Sequence, residues 1–361
     1  MARNKEYASK LEGYTFKKGW KVLSAHNSSG KPTGGIYSMC FDVERDGRVC
    51  FMKALDYNQY INRSAQKGEE KDYVDIIQEM SSQYKYERDL SRACLSRKVK
   101  NVACVIDDDE EFVEPIGGVL VPYLVFEMAD YDLREKLDIS DRLDFAWKMS
   151  SLHDVAVGLF GLHKAGITHQ DIKPSNILIY NGKLNDTTKI GDLGCSDCSF
   201  LDSPYNDRLF TGDHTYSPPE RAYEILTMTD PLKQKRLTDC YLLGSLIVYY
   251  LTGFSMNAII YKYMPATCLP NVFSGTLEEL KSYLQNAFTQ AIMEISEVIP
   301  KVKFKDRLLS TIFYLCNPDP ARRGHPLNIS STYGNSCNLE RFVSILDLLH
   351  RQAELDISLR K

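Results

Sequence analysis

Ile167-Thr-His-Gln-Asp-Ile-Lys-Pro-Ser-Asn-Ile-Leu-Ile179 is the stretch on which the reading of this chain turns. It sets an acid (Asp171), a cation (Lys173) and an amide (Asn176) on one short loop between a helical stretch and an apolar strand. Phosphoryl transfer asks for those three types. A carboxylate orients the attacking hydroxyl and takes its proton, a cation offsets charge on the moving group, and a neutral oxygen holds Mg2+. After a turn comes Lys189-Ile-Gly-Asp-Leu-Gly194, whose Asp192 offers a charged ligand. Mg2+ takes one or two carboxylates and fills its shell with phosphate oxygens and water.

Upstream of the loop, Met149, Leu152, Val155, Ala156, Leu159, Phe160 and Leu162 fall on one broad face of Phe145 to Lys164, the periodicity of a buried helix. Further helices are expected at Asp239 to Leu251, Leu277 to Ile299, Phe304 to Leu315 and Leu339 to Leu355. The first third reads as strands. Trp20 to Ala25 and Ile36 to Glu44 alternate, and Asp46-Gly47 is a hairpin turn leading into Arg48 to Leu55. Two more strands are expected around Val102 to Asp107 and Gly118 to Phe126, after a helix ending near Leu95. Strands first and helices later, changing over near residue 127, give an α+β chain: a small sheet lobe joined to a larger helical lobe.

Bulk properties narrow the function classes. The chain has 361 residues, 43% apolar and 25% charged, an ordinary globular composition. A net charge of −4 carries no basic surplus for a nucleic-acid partner. No run approaches the roughly 18 apolar residues of a membrane helix, and Met1 to Lys10 lacks the apolar core of a secretory signal. A soluble, cytoplasmic protein is the expectation. Ten scattered cysteines fit a reducing compartment, and the short spacing Cys195-Ser-Asp-Cys198 has no second ligand pair to make a metal site.

From about Trp20 to about Phe342 the chain resembles the protein kinase family. The opening stretch is similar to its H-R-D-x-K-x-x-N catalytic loop, and Asp192-Leu-Gly194 to its D-F-G. The resemblance implies a two-lobed fold, with a sheet and one main helix over residues 14–127 and a helical lobe over 128–361, after an extension over 1–13. It implies ATP and Mg2+ as cofactors and a protein substrate. Asp171 becomes the catalytic base, Lys173 the loop lysine, and Asn176 and Asp192 the metal ligands. Lys53, in Phe51-Met-Lys-Ala54, becomes the lysine on the α- and β-phosphates. Phe126 stands at the gatekeeper position, Glu127 to Ala129 offer backbone groups to adenine, and Asp132 a ribose contact. Tyr216-Ser-Pro-Pro-Glu220 resembles the end of an activation segment, Asp239 the buried helix aspartate, and Arg323 the partner of Glu220.

Several positions depart from the family pattern. Gln170 replaces the loop arginine that usually meets a phosphorylated residue, which implies activity without that switch. Ser28-Ser-Gly-Lys-Pro-Thr-Gly-Gly35 replaces the regular glycine loop; Gly30, Gly34 and Gly35 either cover the phosphates by another path or form an ordinary flexible hairpin. Phe51 stands where an alanine usually lies flat over adenine. The partner of Lys53 is Glu87, with Glu79 as competitor; Ser91, one turn after Glu87, sits where an apolar residue is expected. The stretch from Asp56 to Tyr84 is long enough for an additional helix. Asp213 replaces a threonine near the base, and two close acids raise a pKa unless Asp213 points elsewhere. Lys173 favours Ser/Thr acceptors, with dual specificity open. Two other readings share this fold: a binding or scaffolding pseudokinase, and a small-molecule phosphotransferase. The sequence leaves the oligomeric state undetermined.

Overall fold

A computed structural model describes residues 10–28, 31–32, 38–57, 72–139, 143–205, 208, 210–224, 230–300, 302–332 and 334–359. The chain opens with β1 (Lys21–Ala25), the short β2 (Asn27–Ser28) and β3 (Lys31–Pro32), then β4 (Ser38–Arg45) and β5 (Arg48–Leu55). Asp46 and Gly47 join β4 to β5 with φ of 54° and 75°, the left-handed pair that a tight hairpin between twisted strands requires. Helix α1 (Tyr73–Ser96) follows, then β6 (Val105–Val113) and β7 (Val119–Glu127). The sheet runs β1-β4-β5-β7-β6, antiparallel throughout. Along β5, Cys50, Met52 and Ala54 bury into a core with Val22, Phe41, Val43 and Tyr123. The alternation turns Phe51, Lys53 and Leu55 to the opposite face.

Past β7 the chain becomes mainly helical. After β8 (Tyr131–Asp132) come α2 (Leu133–Ile139) and α3 (Phe145–Lys164). Asp144 caps α3 by accepting the Trp147 amide at 2.7 Å. The strands β9 (Ile167–Thr168), β10 (Ile177–Tyr180), β11 (Thr187–Ile190) and β12 (Asp197–Cys198) carry the loops of the site. Then follow α4 (Pro219–Ala222), α5 (Pro231–Thr252), α6 (Met256–Lys262), α7 (Leu277–Val298), α8 (Lys305–Leu315), α9 (Pro326–Ile329) and α10 (Glu340–Ser358). One apolar core joins α3, α5, α7, α8 and α10 to β10 and β11. The architecture is the expected α+β one, a small antiparallel sheet with α1 beside it and a larger helical part.

Boundaries moved where local charge hid the pattern. The fourth strand of the main sheet was expected to end at Asp107 but runs to Val113, through Asp107-Asp-Asp-Glu-Glu111. It is an edge strand, where charge is tolerated, and its acids find partners in Lys18, Trp20, Arg45 and Arg92. Helix α5 starts at Pro231, well before Asp239, because Asp230 caps it and Pro231 fits its first turn. Residues 73–84, where an additional helix was expected, are continuous with the helix that carries Glu87; the rest of that stretch, 58–71, lies outside the described residues. No single described helix is long and apolar enough to cross a membrane.

Candidate active site

Asp239, buried inside α5, builds the site's foundation. Its Oδ2 accepts the His169 amide at 2.8 Å and its Oδ1 accepts the Gln170 amide at 2.8 Å. His163 of α3 closes the same carboxylate at 2.8 Å. Gln170 is thereby held at φ 68°, a left-handed conformation that a non-glycine residue keeps only where its surroundings impose it. The ring of His169 then lies between two backbones, its Nε2 3.0 Å from the Gly191 carbonyl and its Nδ1 accepting the Asp171 amide at 3.2 Å. Those two contacts fix the proton on Nε2.

The loop side chains converge on Asp171. Its Oδ2 meets Lys173 Nζ at 2.9 Å and accepts from Asn176 Nδ2 at 3.1 Å, while its Oδ1 accepts the Asp213 amide at 2.8 Å. Asn176 Nδ2 also donates to the Asp171 carbonyl at 2.9 Å, which fixes the amide's flip and leaves Asn176 Oδ1 as its acceptor. Lys173 stands between two acids, with Asp213 Oδ2 at 3.6 Å. Burial alone would lower the Lys173 ammonium, but facing Asp171 and Asp213 raises it. The raised pKa expected of the acid pair does not hold for Asp213. Burial pushes that carboxyl up, yet the Thr215 amide and Lys173 outweigh it and leave it below the ordinary carboxylate value.

A second cluster centres on Lys53. Its Nζ lies 2.9 Å from each carboxylate oxygen of Glu87 on α1 and 3.1 Å from Asp192 Oδ1. Burial works against the ammonium, but Asp192 and Glu87 together push it well above the usual lysine value. Lys53 in turn holds the Asp192 carboxyl down to about 2. Asp192 sits at φ 55° and accepts the Gly194 amide at 3.2 Å. A side chain on Gly194 would place its Cβ 3.0 Å from Asp192 Oδ1 and 3.4 Å from Glu87 Oε2, so Asp192 would have to give by a few tenths of an ångström. Glu79, the competing glutamate, pairs instead with Arg208 at 2.9 Å. Ser91 is buried because its Oγ accepts the Val105 amide at 2.6 Å, tying α1 to the sheet.

The donor set suits a divalent cation that arrives with phosphate. Asp192 supplies one carboxylate and Asn176 one amide oxygen. Among the described residues no group of three or more His, Cys, Asp or Glu forms a ready-made metal cage.

Other expected positions fall differently. Asp132 takes the Arg134 and Glu135 amides on Oδ1 at 2.8 and 3.1 Å and the Arg134 guanidinium on Oδ2 at 2.6 Å, while Glu135 accepts the Asp132 amide. This reciprocal cap of α2 fixes the Asp132 carboxylate at the start of the helix, where the sequence expects a ribose contact. Glu127 ends β7 with its side chain on Lys189 at 2.6 Å, and Ala129 follows at the crossing into the helical part. Phe51 sits on the same face of β5 as Lys53, edge-on to His26 at 5.0 Å and 6.2 Å from Phe126. Gly30, Gly34 and Gly35 lie outside the described residues.

Two residues near the loop carried no signal in the sequence. Arg221, directly after Glu220, is 1% exposed and donates through Nη1 to the Gln170 carbonyl at 3.3 Å. Tyr205 donates its hydroxyl to the Gly194 carbonyl at 2.5 Å. Arg221 reaches 51 positions back and Tyr205 11, with no fixed spacing to betray them.

A sequence model of the protein kinase domain matches residues 111–324, more than half of the chain. Mitogen-activated protein kinase 17 of Arabidopsis thaliana is 35% identical over 28% of this chain and 20% of its own length. Mitogen-activated protein kinase 8 of Oryza sativa subsp. japonica is 27% identical over 52% of this chain and 34% of its own. The serine/threonine-protein kinase PkaB of Streptomyces coelicolor is 27% identical over 44% and 39%. The chain thus covers from about a fifth to about two fifths of the length of these relatives. By the match of its sequence over the helical part and the loops it carries, the chain belongs to the protein kinase domain family.

Proposed function

We propose that the protein is a Ser/Thr protein kinase that moves the γ-phosphoryl group of ATP onto a protein hydroxyl, with Mg2+, and without phosphorylation of its activation segment. One observation carries the reading: Lys173 and Asn176 both bond to Asp171 while Lys53 bridges Glu87 and Asp192. In this reading the acceptor hydroxyl gives its proton to Asp171. Its oxygen bonds to the γ-phosphorus as the bond to the β-phosphate oxygen breaks. Lys173 offsets charge on the phosphoryl oxygens, and Lys53, fixed by Glu87, takes the α- and β-phosphates. Asp192 and Asn176 would hold Mg2+, which supplies charge neutralisation on the β- and γ-phosphates.

The test is incubation with radiolabelled ATP and a protein lysate, read on a gel. Asp171→Asn should abolish label transfer with ATP affinity within about threefold, because the base acts mainly in the transition state. Near-normal turnover in that variant overturns the assignment. Added ATP and Mg2+ should raise thermal stability, and EDTA should cancel the rise.

Phe51 favours a second reading, a binding module on the same fold. Its ring shares the Lys53 face of β5 where a small residue would leave space for adenine. A nucleotide-induced stability rise that ignores EDTA, with no label transfer, would favour this alternative.

A further inference from the structure

We propose that Tyr205 is a positioning residue: with Arg208 it latches the activation segment to α1 and to the Asp192-Leu193-Gly194 turn, holding Lys53, Glu87 and Asp192 together without a phosphate. The proposal rests on the kinase reading for its meaning in catalysis and on geometry alone for the latch itself.

The contacts come from both sides of the turn. The Tyr205 hydroxyl donates to the Gly194 carbonyl at 2.5 Å. Gly194 lies in contact range of the ion pair: a Cβ there would meet Glu87 Oε2 at 3.4 Å and Lys53 Nζ at 3.7 Å. A hydrogen bond that fixes the Gly194 peptide therefore fixes one wall of that pair. The ring of Tyr205 stands edge-on to Tyr86 at 6.3 Å and 87°, and Tyr86 precedes Glu87 on α1. Such aromatic pairs add modestly to burial and hold a defined geometry. One turn along, the Arg208 guanidinium lies over the Tyr205 ring at 5.3 Å and reaches Glu79 of α1 at 2.9 Å. Glu79 and Glu87 thus anchor the helix at two points, one to the segment and one to β5. Thr211 Oγ1 donates to the Cys195 carbonyl at 2.9 Å and closes the segment's return path.

Chemistry favours a latch that stays shut. Burial raises the Tyr205 hydroxyl's pKa, so it remains a donor at neutral pH. The hydrogen bond is part-buried, with the Tyr86 ring and the Arg208 guanidinium both packed on the Tyr205 ring. The same segment in a phosphate-switched kinase gains order from new contacts between phosphate and arginine. Here an uncharged hydroxyl and an arginine already paired with a glutamate fill that role.

Tyr205→Phe keeps the ring and removes only the donor. With the kinase reading correct, kcat should fall about tenfold while KM for ATP stays within about twofold, because the nucleotide contacts are retained and their alignment is lost. Amide hydrogen exchange should rise about fivefold or more over residues 192–195 and 86–90 and stay unchanged in α5, the signature of a local opening. Glu79→Gln and Arg208→Gln should each give a smaller exchange increase, and the double variant should equal either single one, as coupled partners do. The proposal is overturned if Tyr205→Phe leaves exchange at 192–195 unaltered, or raises it uniformly along the chain. Absence of label transfer in the unaltered protein would sink the kinase reading instead, and the exchange measurement would still judge the latch.

Discussion

The guanidinium of Arg221 donates to the carbonyl of Gln170 at 3.3 Å, from behind the catalytic loop and out of reach of solvent. Gln170 occupies the place of the loop arginine, so the cation at this point comes from the end of the activation segment. Burial brings Arg221 down to about 10, with Asp239, Glu220 and Asp171 pulling the other way, and the ring of Phe210 covers it at 5.2 Å. The side chain of Gln170 turns inward, donating to the Lys235 carbonyl at 2.8 Å and to Asp239 at 3.1 Å. A phosphate on the segment has no arginine waiting on this loop. Arg134, Arg208 and Lys189 pair with Asp132, Glu79 and Glu127.

Phosphatase treatment should therefore leave the initial rate within about twofold, once mass spectrometry shows the segment from Asp192 to Glu220 to be bare. A fall of tenfold, ~1.4 kcal/mol in the barrier, would mean that a modified residue recruits one of those paired cations after all.

Phe51→Ala tests the roof of the nucleotide site. The ring projects from the Lys53 face of β5 and stands edge-on to His26, so under the proposed reading it takes space from adenine. The substitution should lower KM for ATP about threefold or more with kcat unchanged, the pattern of a change in uniform binding. A rise in KM would show that the ring stacks on the base and helps to hold it.

How much was legible depended on whether neighbours in space were neighbours in sequence. Asp171, Lys173 and Asn176 share one loop, so their types and spacing were readable at once. Glu87 was readable by the aromatic residue before it and the strand expected after it, and Ser91 spoke against it because a side chain bonding to the Val105 amide looks polar in sequence and is buried in space. The cap that Asp132 makes with Glu135 went unread, since such a pair looks like any acidic spacing. The edge strand vanished under Asp107-Asp-Asp-Glu-Glu111, whose Asp107 and Asp108 meet Lys18, Arg45 and Arg92, the farthest of them 89 positions earlier. Tyr205 and Arg221 work through backbone carbonyls, which no residue type announces.

Glu220 and Arg323 make two hydrogen bonds, at 2.6 and 2.9 Å, with exposures of 1% and 0%. Removing either partner leaves a buried charge uncompensated, which costs about 3–5 kcal/mol. Glu220→Gln and Arg323→Met should each lower stability by that order in urea titrations. The double variant should be no worse than the poorer single one, because neither charge then remains alone. Additive losses would mean that the pair acts through packing.

The pH dependence should show at Asp107, far from the catalytic loop. Its carboxylate gathers the Trp20 indole at 2.9 Å, Lys18 at 3.0 Å and Arg45 at 2.6 Å, fastening the chain before β1 to the edge strand β6. Burial pushes the carboxyl up, but the three donors outweigh it and bring it from 3.8 down to about 2. A group with a depressed folded pKa binds fewer protons folded than unfolded. Its stabilisation is therefore complete above the unfolded value and is lost as pH falls through the folded one. Discounted for solvent screening at the part-exposed Lys18 and Arg45, the shift corresponds to about 1 kcal/mol at neutral pH. Asp107→Asn should therefore be less stable than the unaltered protein at about pH 7 by that order, with the gap closing between about pH 4 and about pH 2. Urea midpoints at several pH values measure it directly. A gap that persists undiminished at the acid end would show that Asp107 contributes through shape and hydrogen-bond count, with its charge immaterial.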